Sequence, residues 1–107
     1  MNKIAATICQ YIDENYANPM LSRSFIAEQL GFSVSYLSHV LKEQNNQTVM
    51  NLIHKKRIAE AKKLLITSSL NLQEIAERIG YTNTWTFSRA FRSIENISPG
   101  KYRDCSN

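Results

Sequence analysis

Arg89 carries a planar fork of five N–H donors, and helical spacing puts it on one face with Trp85, Ser88 and Arg92. Such a guanidinium can pair bidentately with two coplanar acceptors, as on the O6/N7 edge of guanine, for about 1–3 kcal/mol of discrimination. It can equally hold a phosphate or stand in water. Trp85 and its neighbour Thr84 open the same helix; Trp85 would meet thymine methyls, lie along sugar-phosphate, or pack back on the preceding turn. A second set, Ser35, Ser38, His39 and Lys42, has matching spacing. His39 stands where Arg89 stands in the first set, as a groove contact or as a plain exposed histidine. Lys42 and Arg92 end their helices and suit phosphate, or simply water. These groups donate hydrogen bonds. The sequence has no phosphate-cradling glycine loop, no metal-spaced Cys/His set and no histidine with an evident acid or nucleophile partner, so neither catalysis nor a cofactor is expected.

The stretch Asn71–Arg92 must position the first set. Asn71 is a good N-cap, and Glu74 can reach back to complete a capping box. Leu70 and Ile75 stand where a hydrophobic staple needs them. Gly80 ends the helix where a left-handed residue is required, and Asn83 caps the next one. Phe87, Ala90 and Phe91 then form an inward stripe. A buried helix, a tight turn and a helix offering polar side chains make a helix-turn-helix.

The same plan occurs earlier. Ser22 caps a helix through Leu30, with Leu21 and Ile26 as the staple pair; Gly31 closes it and Phe32 fills the turn. Ser33 caps a helix through about Gln44 with Leu37, Val40 and Leu41 inward. Ser22 matches Asn71, and Gly31-Phe32 matches Gly80-Tyr81, at an offset of 49. Leu37-Ser38-His39 matches Phe87-Ser88-Arg89 at an offset of 50, so the second turn has one residue more. A repeat that keeps caps, glycine and apolar register means two units.

Between them Thr48 caps a long helix to about Ile66, with Val49, Leu52, Ile53, Ile58, Ala61, Leu64 and Leu65 apolar. At 1.5 Å per residue it is a rod of about 27 Å. Its run Lys55-Lys56-Arg57 looks like a DNA-facing patch but reads better as a solvated face, with Lys56, Glu60 and Lys63 spaced for surface pairing, and His54 as structural or solvated. An amphipathic helix over residues 4–16 opens the chain. Ser98-Pro99 starts a short closing helix through Tyr102.

Composition agrees with an all-α protein. The 107 residues include only three glycines and two prolines, and the net charge is +4. Residues 1–53 hold three basic and four acidic side chains, and residues 54–107 hold ten and five, so the excess that favours an anionic partner lies in the second half. Cys9 and Cys105 fit neither a zinc site nor a disulfide scaffold, which points to a reducing cytoplasm. No apolar run reaches the ~18 residues of a membrane span, so no membrane partner is expected.

These residues resemble the C-terminal DNA-binding domain of the AraC/XylS family of bacterial transcription regulators. The resemblance runs from about Ile4 to Arg103. It is most specific in Ile75-Ala76-Glu77-Arg78-Ile79-Gly80-Tyr81, Phe87-Ser88-Arg89-Ala90-Phe91-Arg92 and Ile97-Ser98-Pro99-Gly100-Lys101-Tyr102-Arg103. It implies about seven helices in one domain over 1–107: a first helix-turn-helix subdomain at 4–47, a linker helix at 48–66 and a second subdomain at 67–104. It further implies that each unit's second helix enters a major groove, on adjacent turns of one DNA face. The base-facing positions carry over to Ser35, Ser38 and His39, and to Thr84, Trp85, Ser88 and Arg89. Phosphate contacts are expected from Lys42 and Arg92 and from the helix N-termini capped by Ser33 and Asn83. Asn46 and Asn96 stand where the family often has glycine, and asparagine tolerates the left-handed conformation.

The implied partners are a double-stranded DNA operator and RNA polymerase, with an N-terminal effector or dimerisation domain outside this chain as one reading and a stand-alone regulator as the other. The rival from a different class is a helical protein-interaction module whose exposed faces meet a protein.

Overall fold

A computed structural model describes residues 3–106, which form seven α-helices. They are α1 (Lys3–Asn15), α2 (Arg23–Leu30), α3 (Val34–Asn45), α4 (Val49–Thr67), α5 (Leu72–Arg78), α6 (Thr84–Glu95) and α7 (Pro99–Ser106). Local chemistry sets nearly every boundary. Side chains of Ser22, Ser33, Thr48, Asn71 and Asn83 each accept a hydrogen bond from the amide three residues on, typically worth about 1 kcal/mol per cap. At α5 the box is complete: Asn71 Oδ1 accepts from the Glu74 amide at 2.8 Å, and Glu74 Oε1 accepts from the Asn71 amide at 3.0 Å. Asn46 and Asn96 close α3 and α6 in the left-handed region, at φ 52° and 67°.

The closing helix differs from expectation: it runs to Ser106 rather than stopping at Tyr102. Two contacts hold it. Tyr102 meets Phe91 edge-on, with ring centres 5.5 Å apart. Arg103 donates to the carbonyls of Leu65, Ser68 and Leu70 at 3.0, 3.2 and 2.7 Å, binding α7 to the connection between α4 and α5. Those anchors outweigh the weak helix propensity of Gly100.

Two clusters of buried side chains form the core. The first joins α1–α3 to the start of α4 through Ile8, Ile12, Ile26, Leu37, Leu41 and Ile53. The second joins the rest of α4 to α5 and α6 through Ile58, Leu65, Ile75, Ile79, Phe87 and Phe91. Burying each such side chain contributes about 1.5–3 kcal/mol before conformational entropy is counted. Helix α4 therefore belongs to both halves. The principal extents are 42 × 22 × 20 Å, and the radius of gyration of 14.6 Å exceeds the about 13 Å of a round domain this long.

Between Ile53 and Ile58 the only buried side chain is Arg57, just 4% exposed. This corrects the reading of Lys55-Lys56-Arg57 as a wholly solvated face. Lys55 is exposed, and Lys56 and Lys63 pair with Glu60 at 3.5 and 3.0 Å as their spacing implies. Arg57 turns inward because it falls on the stripe Ile53-Arg57-Ala61-Leu65, whose other members are all buried. Both cysteines are free, and among the described residues no helix is long and apolar enough to cross a membrane.

Candidate nucleic-acid interface

Each second helix of a helix-turn-helix is fixed from behind by its apolar stripe. Leu37, Val40 and Leu41 seat α3, and Phe87 and Phe91 seat α6, with Ala90 half-buried beside them. The opposite faces are left to solvent. In α6, Arg89 is exposed and its guanidinium carbon lies 4.8 Å from the centre of the Trp85 ring. Trp85 is 66% exposed, which removes the alternative that it packs back into the turn. Thr84 and Ser88 are half-buried on the same helix, and Arg92 is exposed one turn beyond Arg89.

The α3 face is weaker in charge. Ser35 and His39 are exposed and Ser38 is half-buried. His39 Nε2 lies 3.4 Å from Glu43, so a carboxylate competes for this imidazole. Lys42 is exposed in the last turn of α3. The caps are occupied: Ser33 Oγ accepts from the Tyr36 amide at 3.1 Å and Asn83 Oδ1 from the Thr86 amide at 2.8 Å, so each cap satisfies one of the first-turn amides that a helix start leaves without an intrahelical partner.

Two grooves flank these faces. The larger, about 610 Å³, runs between α4 and α6 and is lined by Asn51, His54 and Lys55 on one side and by Trp85, Thr86 and Arg89 on the other. Among the described residues no carboxylate lines it. The smaller, about 440 Å³, gathers Ser38, His39 and Lys42 with Arg23, Gln47 and Thr48. The structure thus unites Trp85 with Arg89, and Ser38 with His39 and Lys42. Ser35, Thr84, Ser88 and Arg92 stay on the open helix faces.

The groove also gathers residues outside the two expected sets, Lys55 of the basic run among them. Lys55 has no carboxylate in ion-pair range among the described residues, whereas Lys56 and Lys63 have Glu60 and Lys62 has Glu95 at 3.2 Å. The spacing of Glu60 from Lys56 and Lys63 was the available signal: it leaves Lys55 without a partner. Arg23, Asn51, Gln47 and Thr86 carried no signal, since only tertiary packing brings them to a groove. His54 forms the inner wall. Its Nδ1 lies 2.6 Å from the Tyr81 hydroxyl and its ring stacks on Tyr81, which makes it structural. Burial first, then the Arg57 charge, pushes the His54 pKa below its ordinary value. Burial lifts Tyr81 to about 12, so its hydroxyl stays protonated.

Two helix-turn-helix units with outward polar faces, joined by a shared helix, define a DNA-binding domain of the regulator class. A family model described as a helix-turn-helix domain matches residues 26–104. Regulatory protein SoxS of Salmonella typhimurium is 32% identical over 101 residues, covering 94% of this chain and 94% of that protein. The raffinose operon transcriptional regulatory protein RafR of Pediococcus pentosaceus is 36% identical over 93 residues, 87% of this chain and 33% of that protein. This chain spans about a third of the first such relatives. In structure, the C-terminal domain of AraT, a response regulator from Geobacillus stearothermophilus, superposes with a TM-score of 0.95 at 33% identity, covering 98% of this chain and 87% of that one. The chain belongs to the AraC/XylS family, and it is a sequence-specific DNA-binding domain for the regulation of transcription.

Proposed function

We propose that α3 and α6 enter successive major grooves on one face of a duplex, with residues 4–47 and 67–104 acting as two readers and 48–66 as the spacer. Residues 1, 2 and 107 of the expected domain lie outside the described residues. The observation that carries this reading is the pairing of two outward polar helices with one shared rod. Helix α4, 19 residues long, measures about 28 Å, and the molecule is 42 Å long, against about 34 Å between successive major grooves. Trp85, Ser88, Arg89 and Thr84 read bases in the second site, and Ser35, Ser38 and His39 in the first. Lys42, Arg92 and the N-termini at Ser33 and Asn83 hold phosphates. RNA polymerase and an N-terminal effector or dimerisation domain are the further partners, in the cytoplasm.

The test is selection of bound sites from random duplexes, followed by footprinting. A non-palindromic site of about two helical turns is expected, with affinity falling steeply with salt. Absence of duplex binding at low salt would transfer these faces to a protein partner.

A further inference from the structure

Arg57 is the buried charged side chain of the described residues, and it has no carboxylate. Its Nε donates to the carbonyl of Tyr16 at 2.8 Å and its Nη2 to the carbonyl of Asn18 at 2.9 Å. Its guanidinium carbon lies 5.0 Å from the centre of the Tyr81 ring, and the Tyr81 hydroxyl meets His54. These groups come from both halves of the protein. Tyr16 and Asn18 follow α1 in the first, Tyr81 occupies the turn of the second, and Arg57 projects from α4 where one core gives way to the other.

A buried guanidinium without a countercharge is a poor route to stability, and apolar side chains of similar volume often do as well. What the fork adds is direction: two fixed acceptors and one ring face admit a single orientation. Gly80 points the same way. A Cβ there would lie 2.6 Å from the Tyr16 carbonyl oxygen and 2.8 Å from Arg57 Nε, whereas at Gly31, its counterpart in the repeat, nothing lies within 4 Å. The turn itself therefore does not demand such close approach. The junction between the halves does.

We infer that Arg57 is a positioning residue: by clasping the end of α1 against the second turn it sets the rotation and separation of α3 and α6, and so the half-site spacing that the protein accepts. This rests on the two-groove reading above. Two readers on a rigid frame gain avidity of about 100-fold or more only when both half-sites fall in register, and a loosened frame tolerates other spacings.

The experiment measures affinity for duplexes whose half-site separation is changed one base pair at a time, with wild type, Arg57→Met and Arg57→Lys, alongside thermal melts. The wild type should show one sharp optimum. Both variants should flatten that profile to within about fivefold while keeping wild-type affinity for a duplex carrying only the second half-site. A variant profile of unchanged shape, scaled down evenly, would overturn the inference while leaving the DNA reading intact. Loss of fold in both variants would also overturn it, because Arg57 would then be a stability residue. Failure of the wild type to bind any two-site duplex would remove the two-groove reading and this inference with it.

Discussion

The Arg89 guanidinium lies over the Trp85 ring, 4.8 Å from its centre, on the exposed face of α6. An exposed cation–π pair of this kind contributes about 0.5–1 kcal/mol, enough to favour one presentation of the fork. Trp85 is thus a rest that holds the arginine in one presentation. Arg89→Ala should relax preference at one operator position by about tenfold, and Trp85→Ala should relax that same position by about two- to fivefold. Binding measured on operators altered at single positions decides it. A uniform loss on all sequences would make both residues backbone contacts.

Among the described residues Lys55 has no carboxylate partner and no acid shares its groove beside Arg89, while Lys56 shares Glu60 with Lys63. A lysine held by a carboxylate releases little on meeting a phosphate; a free one adds a full contact. Lys55→Gln should lower the slope of log K against log salt by about 0.9, without changing base preference. Lys56→Gln should leave the slope nearly as it is. Equal slopes for wild type and Lys55→Gln would place Lys55 off the DNA.

The caps, the apolar stripes and the repeat were legible because they are local: Asn71 and Glu74, or Gly31 and Gly80, announce themselves within four residues. Arg57 was not, because its meaning depends on carbonyls 41 and 39 residues away. Its phase on the Ile53-Ala61-Leu65 stripe was visible, but charge outweighed position in the reading of the basic run. The exposure of Trp85 was equally undecidable, since it depends on which neighbours the turn leaves free. The polar faces were readable as faces; the grooves beside them depend on how α4 packs.

Gly80 and Gly31 occupy equivalent turns at φ 102° and 77°, but only Gly80 faces a wall. Gly31→Ala should cost about 1–2 kcal/mol, the strain of a left-handed residue. Gly80→Ala adds displacement of backbone and of Arg57, and should cost about 3 kcal/mol or more. Urea unfolding of the two variants makes the comparison. Equal losses would mean the junction yields without resistance.

His54 gives the fold a pH dependence whose sign is set by burial. Its folded-state pKa is lowered from 6.5, so the unfolded chain binds the proton more readily. The stabilisation is complete above pH 6.5 and is lost as pH falls through the depressed folded value. Melting temperature should therefore hold level above that pH and decline below it, and His54→Gln should soften the decline. A variant that declines as steeply as wild type would assign the effect to other groups.

The three bonds from Arg103 have a consequence for the order in which the chain matures. The first core closes with Ile53, so its parts are all present once residue 53 has been made. The carbonyls of Leu65, Ser68 and Leu70 must wait for a donor 38, 35 and 33 residues further on. On a ribosome, where early segments fold first, α3 is in place while α6 is still unlatched. A nascent chain released before residue 103 would carry a finished α3 beside an α6 without its lock.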